Sequence, residues 1–171
     1  MSTDIAKVKK VLNAIASEVQ SDIHYINNGG CAVYAVELAK RLDAIGFSDY
    51  KIRTYGCGGR NVNVATVEKK VFNTNLPTKT SEWNANDVYF SHVRLEWRGM
   101  VWDAEGAVNS RKARVWEMFY VRQKGHISRK AMEMLTKLQS NWNRMFDRRQ
   151  VPKLKRIMDK HFASLEHCIA V

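Results

Sequence analysis

Residues 25–42 read YINNGGCAVYAVELAKRL, in which a turn-forming segment is followed by the start of an amphipathic helix. The Asn-Asn-Gly-Gly run at 27–30 is typical of a turn. Apolar residues at helical spacing then predict a helix from about Cys31 to about Ala44, and Gly46 is expected to end it. Cys31 therefore has two interpretations. It is either a nucleophile at a helix N-terminus or a small apolar residue that packs where a core helix begins.

The totals favour a single folded domain. The chain has 171 residues, of which 45% are hydrophobic and 26% charged, and it is long enough to bury its own core. No signal peptide or transmembrane run is visible, so the protein is expected to stay in the cytoplasm. Its three cysteines, Cys31, Cys57 and Cys168, suggest neither a disulfide framework nor structural zinc. No metal or organic cofactor is implied.

The formal charge of +11 is unevenly distributed. Residues 1–110 carry 13 Lys and Arg against 12 Asp and Glu, whereas residues 111–160 carry 15 against 4. This asymmetry predicts an acidic partner, either nucleic acid or an acidic protein. The alternative is that these side chains are solvated surface on the outer faces of helices. The residues assigned to the binding role are Arg144, Arg148, Arg149, Lys153, Lys155, Arg156 and Lys160.

Alternating apolar residues predict strands after the second helix. Strand-like patterns occur in YKIRTYGCGG (50–59), in NVNVATVEKKVF (61–72) and, most clearly, in DVYFSHVRLEW (87–97). The last of these is followed by Arg98-Gly99 and then MVWDAEG, which predicts a β-hairpin with a two-residue turn. In that register position 92 pairs with 105, and position 94 pairs with 103.

Beyond Ala107 the pattern becomes helical. One helix is predicted over Ile127 to Arg149, and Pro152 can start a last one. The predicted fold is α+β, with a core at 1–110 and a basic helical extension at 111–171 that packs on the core as one compact unit.

The hairpin supplies the partners that a nucleophilic Cys31 would need. A thiol attacks only as the thiolate, so the pKa of about 8.5 of a free thiol must be lowered, and a base must stand nearby. In the predicted register His92, Arg94, Asp103 and Glu105 share one face, and Asp103 lies diagonal to His92, at about 7–8 Å between Cα atoms. Asp103 could therefore hold the imidazole. The alternatives are ordinary ion pairs, Asp103 with Arg94 or His92 with Glu105.

The segments NNGGCAVYAVELAKRL and SHVRLEWRGMVWDAEG resemble the papain-like cysteine hydrolase superfamily in its small bacterial and phage branches, which include NlpC/P60-like, CHAP-like and transglutaminase-like proteins. The resemblance covers Tyr25 to about Gly106. It implies a papain-like core in which Cys31 is the nucleophile, His92 the base and Asp103 the orienting acid.

The oxyanion hole is the part of that pattern for which this chain needs a substitute. No glutamine stands shortly before Cys31, and Tyr25 or Asn28 is the candidate replacement. Glu105 is a further candidate supporting residue, because it lies on the face of His92.

Two functions are therefore expected as alternatives. The first is a hydrolase or acyl transferase that acts on an amide, isopeptide or thioester bond of a peptide or other amide-containing substrate. The second is a non-catalytic papain-like scaffold whose basic helices bind nucleic acid or an acidic host protein. Either would suit a phage-encoded or mobile-element factor that acts on a host component.

Overall fold

The computed structural model of the chain describes residues 5–27, 29–56, 68, 72, 92–109, 123–138 and 146–166. Within these ranges the protein is a mixture of helices and one antiparallel sheet, so the α+β prediction is confirmed. The elements in chain order are α1 (Ile5–Asp22), α2 (Cys31–Ala44), β1 (Lys51–Gly56), β2 (His92–Trp97), β3 (Met100–Asp103), β4 (Gly106–Asn109), β5 (Gln123–Ile127), α3 (Arg129–Leu138), a 3₁₀ turn (Arg148–Gln150) and α4 (Val151–Glu166).

The sheet has the strand order β4-β3-β2-β1-β5, and each of these neighbours is antiparallel. Strands β2 and β3 pair Leu95 with Trp102 and Trp97 with Met100, which is the predicted register. One face of β2 carries the fully buried Leu95 and Trp97. The opposite face carries the polar side chains at 92, 94 and 96. The predicted strands at 61–72 and 87–91 lie outside the described residues, apart from Glu68 and Phe72. Both of these residues are helical, so the strand prediction is wrong at these two positions.

The β2–β3 turn uses an unusual residue pair. Arg98 and Gly99 both have positive φ, 49° and 73°, as a two-residue hairpin turn requires. Arginine is strained in this conformation. Its side chain is held by Asp49, whose Oδ2 lies 2.8 Å from the Nε of Arg98, and it lies over the ring of Phe47. These contacts offset the strain and keep the predicted register.

Helix α2 is the central helix of the fold. It packs against β2 and β3 on one side and against α3 and α4 on the other. Its bounds are those predicted, and Leu38 and Leu42 are fully buried. The helix ends at Ala44 and is followed by Gly46, which has a φ of +87°, and the N–H of Phe47 donates to the carbonyl of Leu42 at 2.8 Å. Gly46 therefore ends the helix as expected.

Helix α1 buries one apolar stripe and packs against α4. The stripe consists of Val8, Leu12, Ile15, Ala16 and Val19. Across the described ranges, no helix combines the length and the apolar character needed to span a bilayer.

The region after Ala107 differs from the prediction. Residues 106–109 and 123–127 are strands, and the second of these pairs with β1 at the edge of the sheet. QKGHI has little intrinsic strand character, so its conformation comes from the hydrogen bonds that β1 offers. The predicted helix at 127–149 begins at Arg129, where the Ser128 hydroxyl accepts from the Ala131 N–H at 3.3 Å as an N-cap, and its described part ends at Leu138.

The C-terminal helices share the core with the first part of the chain. Leu154, Met158 and Phe162 of α4 and Leu135 of α3 belong to the same buried hydrophobic cluster as α1, α2 and the sheet. Their removal would expose the apolar surfaces of α1 and α2.

We expect Leu154→Ala to lower the free energy of unfolding by about 2–5 kcal/mol, because Leu154 is fully buried. Urea denaturation followed by circular dichroism should give one cooperative transition at a lower midpoint. Ser164→Ala, at an exposed site of the same helix, should change the midpoint little. Two separate transitions, of which Leu154→Ala moves only one, would show that α4 does not share its stability with the rest of the core.

Candidate active site

Cys31 is the first residue of α2 and is buried, with 7% of its surface exposed. Gly30 occupies the N-cap position and, because it has no side chain, supplies no side-chain cap to the helix. The N-terminus of a helix carries a partial positive charge and unpaired N–H groups, both of which stabilise a nearby anion. Cys31 therefore stands where a thiolate and an oxyanion could both be stabilised.

Gly30 is required at the N-cap by its surroundings rather than by its backbone angles. A Cβ at this position would lie 2.8 Å from both the Ile26 Cδ1 and the Phe146 Cδ2, and 2.9 Å from the Ile26 carbonyl oxygen. The chain thus enters α2 in close contact with side chains on two sides. This contact fixes the approach to Cys31.

His92 and Asp103 face each other across the hairpin, as predicted. The His92 Nε2 lies 3.1 Å from the Asp103 Oδ2, and Asp103 is almost fully buried. The Cys31 side chain also acts on the imidazole, because its hydrogen bond and its charge are among the causes that raise the pKa of His92. The structure therefore brings together Cys31, His92 and Asp103, three residues that are far apart in the sequence.

Asp103 also binds Arg94, so the proposed triad and its competing ion pair coexist. The Arg94 Nε donates to the Asp103 Oδ2 at 2.7 Å, and the Glu105 N–H donates to the Oδ1 at 2.9 Å. Burial raises the pKa of the Asp103 carboxyl. Three contacts act in the opposite direction: the hydrogen bond from His92, the charge of Arg94 and the N–H of Glu105 all lower this pKa. Together they outweigh burial, so the pKa of Asp103 is below its ordinary value. Asp103 is a stable anion.

The His92 imidazole is held in its protonated form. Burial lowers the pKa of His92, but the hydrogen bonds with Asp103 and Cys31, together with the Cys31 charge, raise it to about 9. Arg94 acts in the opposite direction and lowers the pKa of His92. At neutral pH the site therefore holds an imidazolium beside the Asp103 carboxylate.

Two tyrosines of the site were not among the sequence candidates. Tyr55 of β1 is opposite His92 in the sheet, and its ring stacks on the imidazole with centroids 6.2 Å apart. Tyr34 is fully buried; burial and the Asp103 charge both raise its pKa above the ordinary value. The sequence holds a signal for Tyr34, which lies one helical turn after Cys31, but the pairing of β1 with β2 is not visible in it.

The candidate supporting residues lie in different places. Tyr25 has a positive φ of 57° and is 55% exposed, on the loop before Cys31. Glu105 contributes its backbone N–H to Asp103, while its side chain is exposed. Asn28, Cys57 and Cys168 lie outside the described residues.

Much of the basic surface is paired within the molecule. Lys160 binds Glu18 of α1 at 2.9 Å, and Lys153 binds Asp22 at 3.0 Å. A third lysine, Lys155, stands 3.8 Å from the buried Glu37 of α2. Part of the charge asymmetry along the sequence is therefore internal complementarity between α4 and the N-terminal helices.

The arginines of this group differ in how they are held. Arg149 binds Asp147 in its own turn, with 91% of its side chain exposed, and Arg148 donates to the Thr136 carbonyl. Arg156 is exposed and has no partner among the residues that the structure describes. Arg144 lies outside those residues.

Comparison of the chain with protein-family models, with curated proteins and with solved structures gives no match. In the described ranges, no group of three or more His, Cys, Asp and Glu side chains is placed to hold a metal ion.

The raised pKa of His92 predicts a pH dependence of stability. Its protonated form favours the fold, so this contribution is complete below the unfolded pKa of 6.5 and is lost as the pH rises through about 9. The difference in unfolding free energy between the wild type and His92→Gln should therefore shrink by about 1–3 kcal/mol between pH 6 and pH 10. Urea titrations at a series of pH values measure it.

Asp103→Asn is the matched control, because it keeps the shape of the side chain but removes the charge that stabilises the imidazolium. In the Asp103→Asn background, the change in unfolding free energy caused by His92→Gln should depend much less on pH above pH 6. A difference that stays constant from pH 6 to pH 10 in the wild-type background would contradict the raised pKa.

Proposed function

We propose that the protein is a cysteine-dependent hydrolase or acyl transferase that acts on an amide, isopeptide or thioester bond. The observation that carries this proposal is the position of His92, whose Nε2 lies 3.1 Å from the Asp103 Oδ2 and whose pKa is raised by both Asp103 and Cys31. A nucleophile, a proton carrier and an orienting carboxylate are the minimum set for acyl transfer through a thioester. The order of these groups, on a helix start and then on adjacent strands, supports a papain-like core.

The first half of the reaction would form an acyl-enzyme. The Cys31 Sγ attacks the carbonyl carbon and forms an S–C bond, while the C=O electron pair moves to the oxygen. The N–H groups in the first turn of α2, which have no acceptor within the helix, are suitable donors to that oxyanion. As the tetrahedral intermediate collapses, the C–N or C–S bond breaks and His92 gives its Nδ1 proton to the leaving group.

The second half would release the acyl group. Neutral His92 takes a proton from water, and the hydroxide attacks the thioester carbon. The C–S bond breaks, Cys31 leaves as the thiolate, and the imidazolium is restored. An amine or a thiol in place of water gives transfer instead of hydrolysis. Asp103 keeps its charge throughout and stabilises each imidazolium state.

Alkylation of Cys31 by iodoacetamide tests the proposal without a known substrate. In a Cys57→Ser, Cys168→Ser background, we expect Cys31 to react about 10-fold or more faster than glutathione at pH 6, because catalysis of this kind requires a reactive thiolate beside the imidazole. His92→Ala should remove this advantage, and Asp103→Asn should reduce it. Mass spectrometry of the Cys31 peptide gives the rates.

The same variants should then be assayed on fluorogenic peptide amides and on a thioester. Cys31→Ser should abolish turnover of any substrate that the wild type cleaves. If Cys31 reacts no faster than glutathione and His92→Ala leaves its rate unchanged, the catalytic proposal is wrong.

A second candidate function is supported by the exposure of Arg149 and Arg156. In this proposal the basic helices bind a phosphate backbone, and the papain-like core is a scaffold. Binding of this kind depends on counterion release and weakens steeply with salt. Lys153, Lys155 and Lys160 contribute less than their number suggests, because carboxylates of α1 and α2 already hold them.

Gel-shift titrations with DNA and RNA at several salt concentrations test this candidate. Arg149→Glu with Arg156→Glu should weaken binding and reduce the salt slope by about 2, one for each lost phosphate contact. Lys7→Glu with Lys10→Glu, on the exposed face of α1, makes the same charge change elsewhere. Equal losses in the two double variants, or no binding at low salt, would contradict a specific basic surface.

A further inference from the structure

The loop between α1 and α2, residues 23–30, leads directly to Cys31. Residues from the C-terminal part of the chain contact this loop. Phe146, Gln150 and Lys153 contact this loop or its start. These residues lie in a short segment, 146–153, which is more than a hundred positions away in the sequence. The contacts of this segment are distinct from the hairpin that supplies His92 and Asp103.

Gln150 makes the most specific of these contacts. Its Oε1 accepts from the His24 N–H at 2.9 Å, and its Nε2 donates to the His24 carbonyl at 3.2 Å. One amide thus satisfies both backbone groups of one loop residue, as a neighbouring strand would. The His24 side chain is exposed, so Gln150 binds the backbone and fixes the path of the loop.

Lys153 and Phe146, on either side of Gln150 in the sequence, make further contacts at the two ends of the loop. The Lys153 Nζ donates to the Asp22 carbonyl at 3.0 Å and also pairs with the Asp22 carboxylate, at the point where α1 ends. At the other end of the loop, Phe146 packs so closely on Gly30 that a Cβ there would lie 2.8 Å from its ring. The segment therefore touches the chain at the last residue of α1, at the second residue of the loop and at the residue before Cys31.

We propose that residues 146–153 form a brace that positions Cys31 against His92, with Gln150 as its principal positioning residue. This inference rests on the proposed function, because it concerns the same thiol. The loop contains Gly29 and Gly30 and would sample many backbone conformations if it were not held. A displacement of about 1 Å in a reacting group can cost 100-fold in rate. The brace removes that freedom.

Loss of the Gln150 amide should have a large effect on the reactivity of the site and a small effect on the stability of the fold. Gln150 is only partly buried and is not part of the hydrophobic cluster. Loss of its side-chain amide should therefore lower the Tm by only a few degrees. The backbone of His24 would lose both hydrogen bonds while Ile23 and Ile26 stay buried in the core, so we expect a small displacement of Cys31 relative to the imidazole.

Variants of Gln150 can remove its two hydrogen bonds stepwise. Gln150→Glu keeps an acceptor for the His24 N–H but loses the donor to the His24 carbonyl, whereas Gln150→Met loses both. We expect the rate of Cys31 alkylation at pH 6 to fall about 3-fold in Gln150→Glu and about 10-fold in Gln150→Met, in line with a graded loss of positioning. The His92 pKa, followed by NMR of the imidazole, should fall in the same order.

Two controls separate positioning from stability. Gln20→Met makes the same substitution on an exposed residue near the end of α1, and it should leave both readouts unchanged. Ile157→Val trims a buried residue of α4 that does not belong to the brace, so it should lower the Tm without moving the His92 pKa. If Ile157→Val lowers the alkylation rate as much as Gln150→Met does, the effect is one of stability and the brace is wrong.

The remaining outcomes distinguish the brace from the proposed function. If wild-type Cys31 reacts rapidly and Gln150→Met changes neither its rate nor the His92 pKa, the brace is overturned while the catalytic proposal stands. If wild-type Cys31 reacts no faster than glutathione, the catalytic proposal fails. A lower His92 pKa in Gln150→Met would then still support the brace, and an unchanged one would overturn it.

Discussion

A buried carboxylate keeps its charge only if hydrogen bonds and opposite charges replace the water that it has lost, and the site depends on how Asp103 meets this requirement. Its Oδ2 accepts from Arg94 and contacts the His92 Nε2, and its Oδ1 accepts from the Glu105 N–H. The same set of contacts orients the imidazole, joins β2 to β3 and fixes the turn into β4. Asp103 therefore ties the geometry of the hairpin to the charge state of His92.

Arg94 limits how strongly Asp103 stabilises the protonated form of His92. It shares the Oδ2 of Asp103 with His92, and its own charge lowers the pKa of the imidazole. Without Arg94, a fully buried anion would face His92 alone and would hold the proton more strongly. A general acid that must release its proton in each cycle benefits from such a limit, because transfer is efficient when the pKa of the group is not far above the working pH. The cross-strand arginine is thus compatible with catalysis rather than a competitor of it.

The local parts of this architecture could be predicted from the sequence, and the long-range parts could not. Helix α2 and the β2–β3 register follow from periodicity, from Gly46 and from a two-residue turn, which are short-range signals. Strand β5 could not be found in this way, because the residues 123–127 become a strand only when β1 supplies their hydrogen bonds. Tyr55 is hidden for the same reason, since its place beside His92 depends on the pairing of β1 with β2. Likewise, nothing near Gln150 indicates that its amide binds the backbone of His24.

Many of the positive charges in the C-terminal part of the chain have partners within the molecule. As a sequence, this part is a surplus of positive charge that predicts an external acidic partner. In the fold, Lys153 and Lys160 meet Asp22 and Glu18 of α1, and the hydrophobic side of α4 closes the core over α1 and α2. The carboxylates that make the first part of the chain nearly neutral are therefore, in part, the partners of those lysines. Because the same helix begins beside the loop that leads to Cys31, we expect a ligand that binds its exposed Arg156 to act on the position of the thiol. Binding and catalysis would then share one element, and a surface change on α4 would be felt at the site.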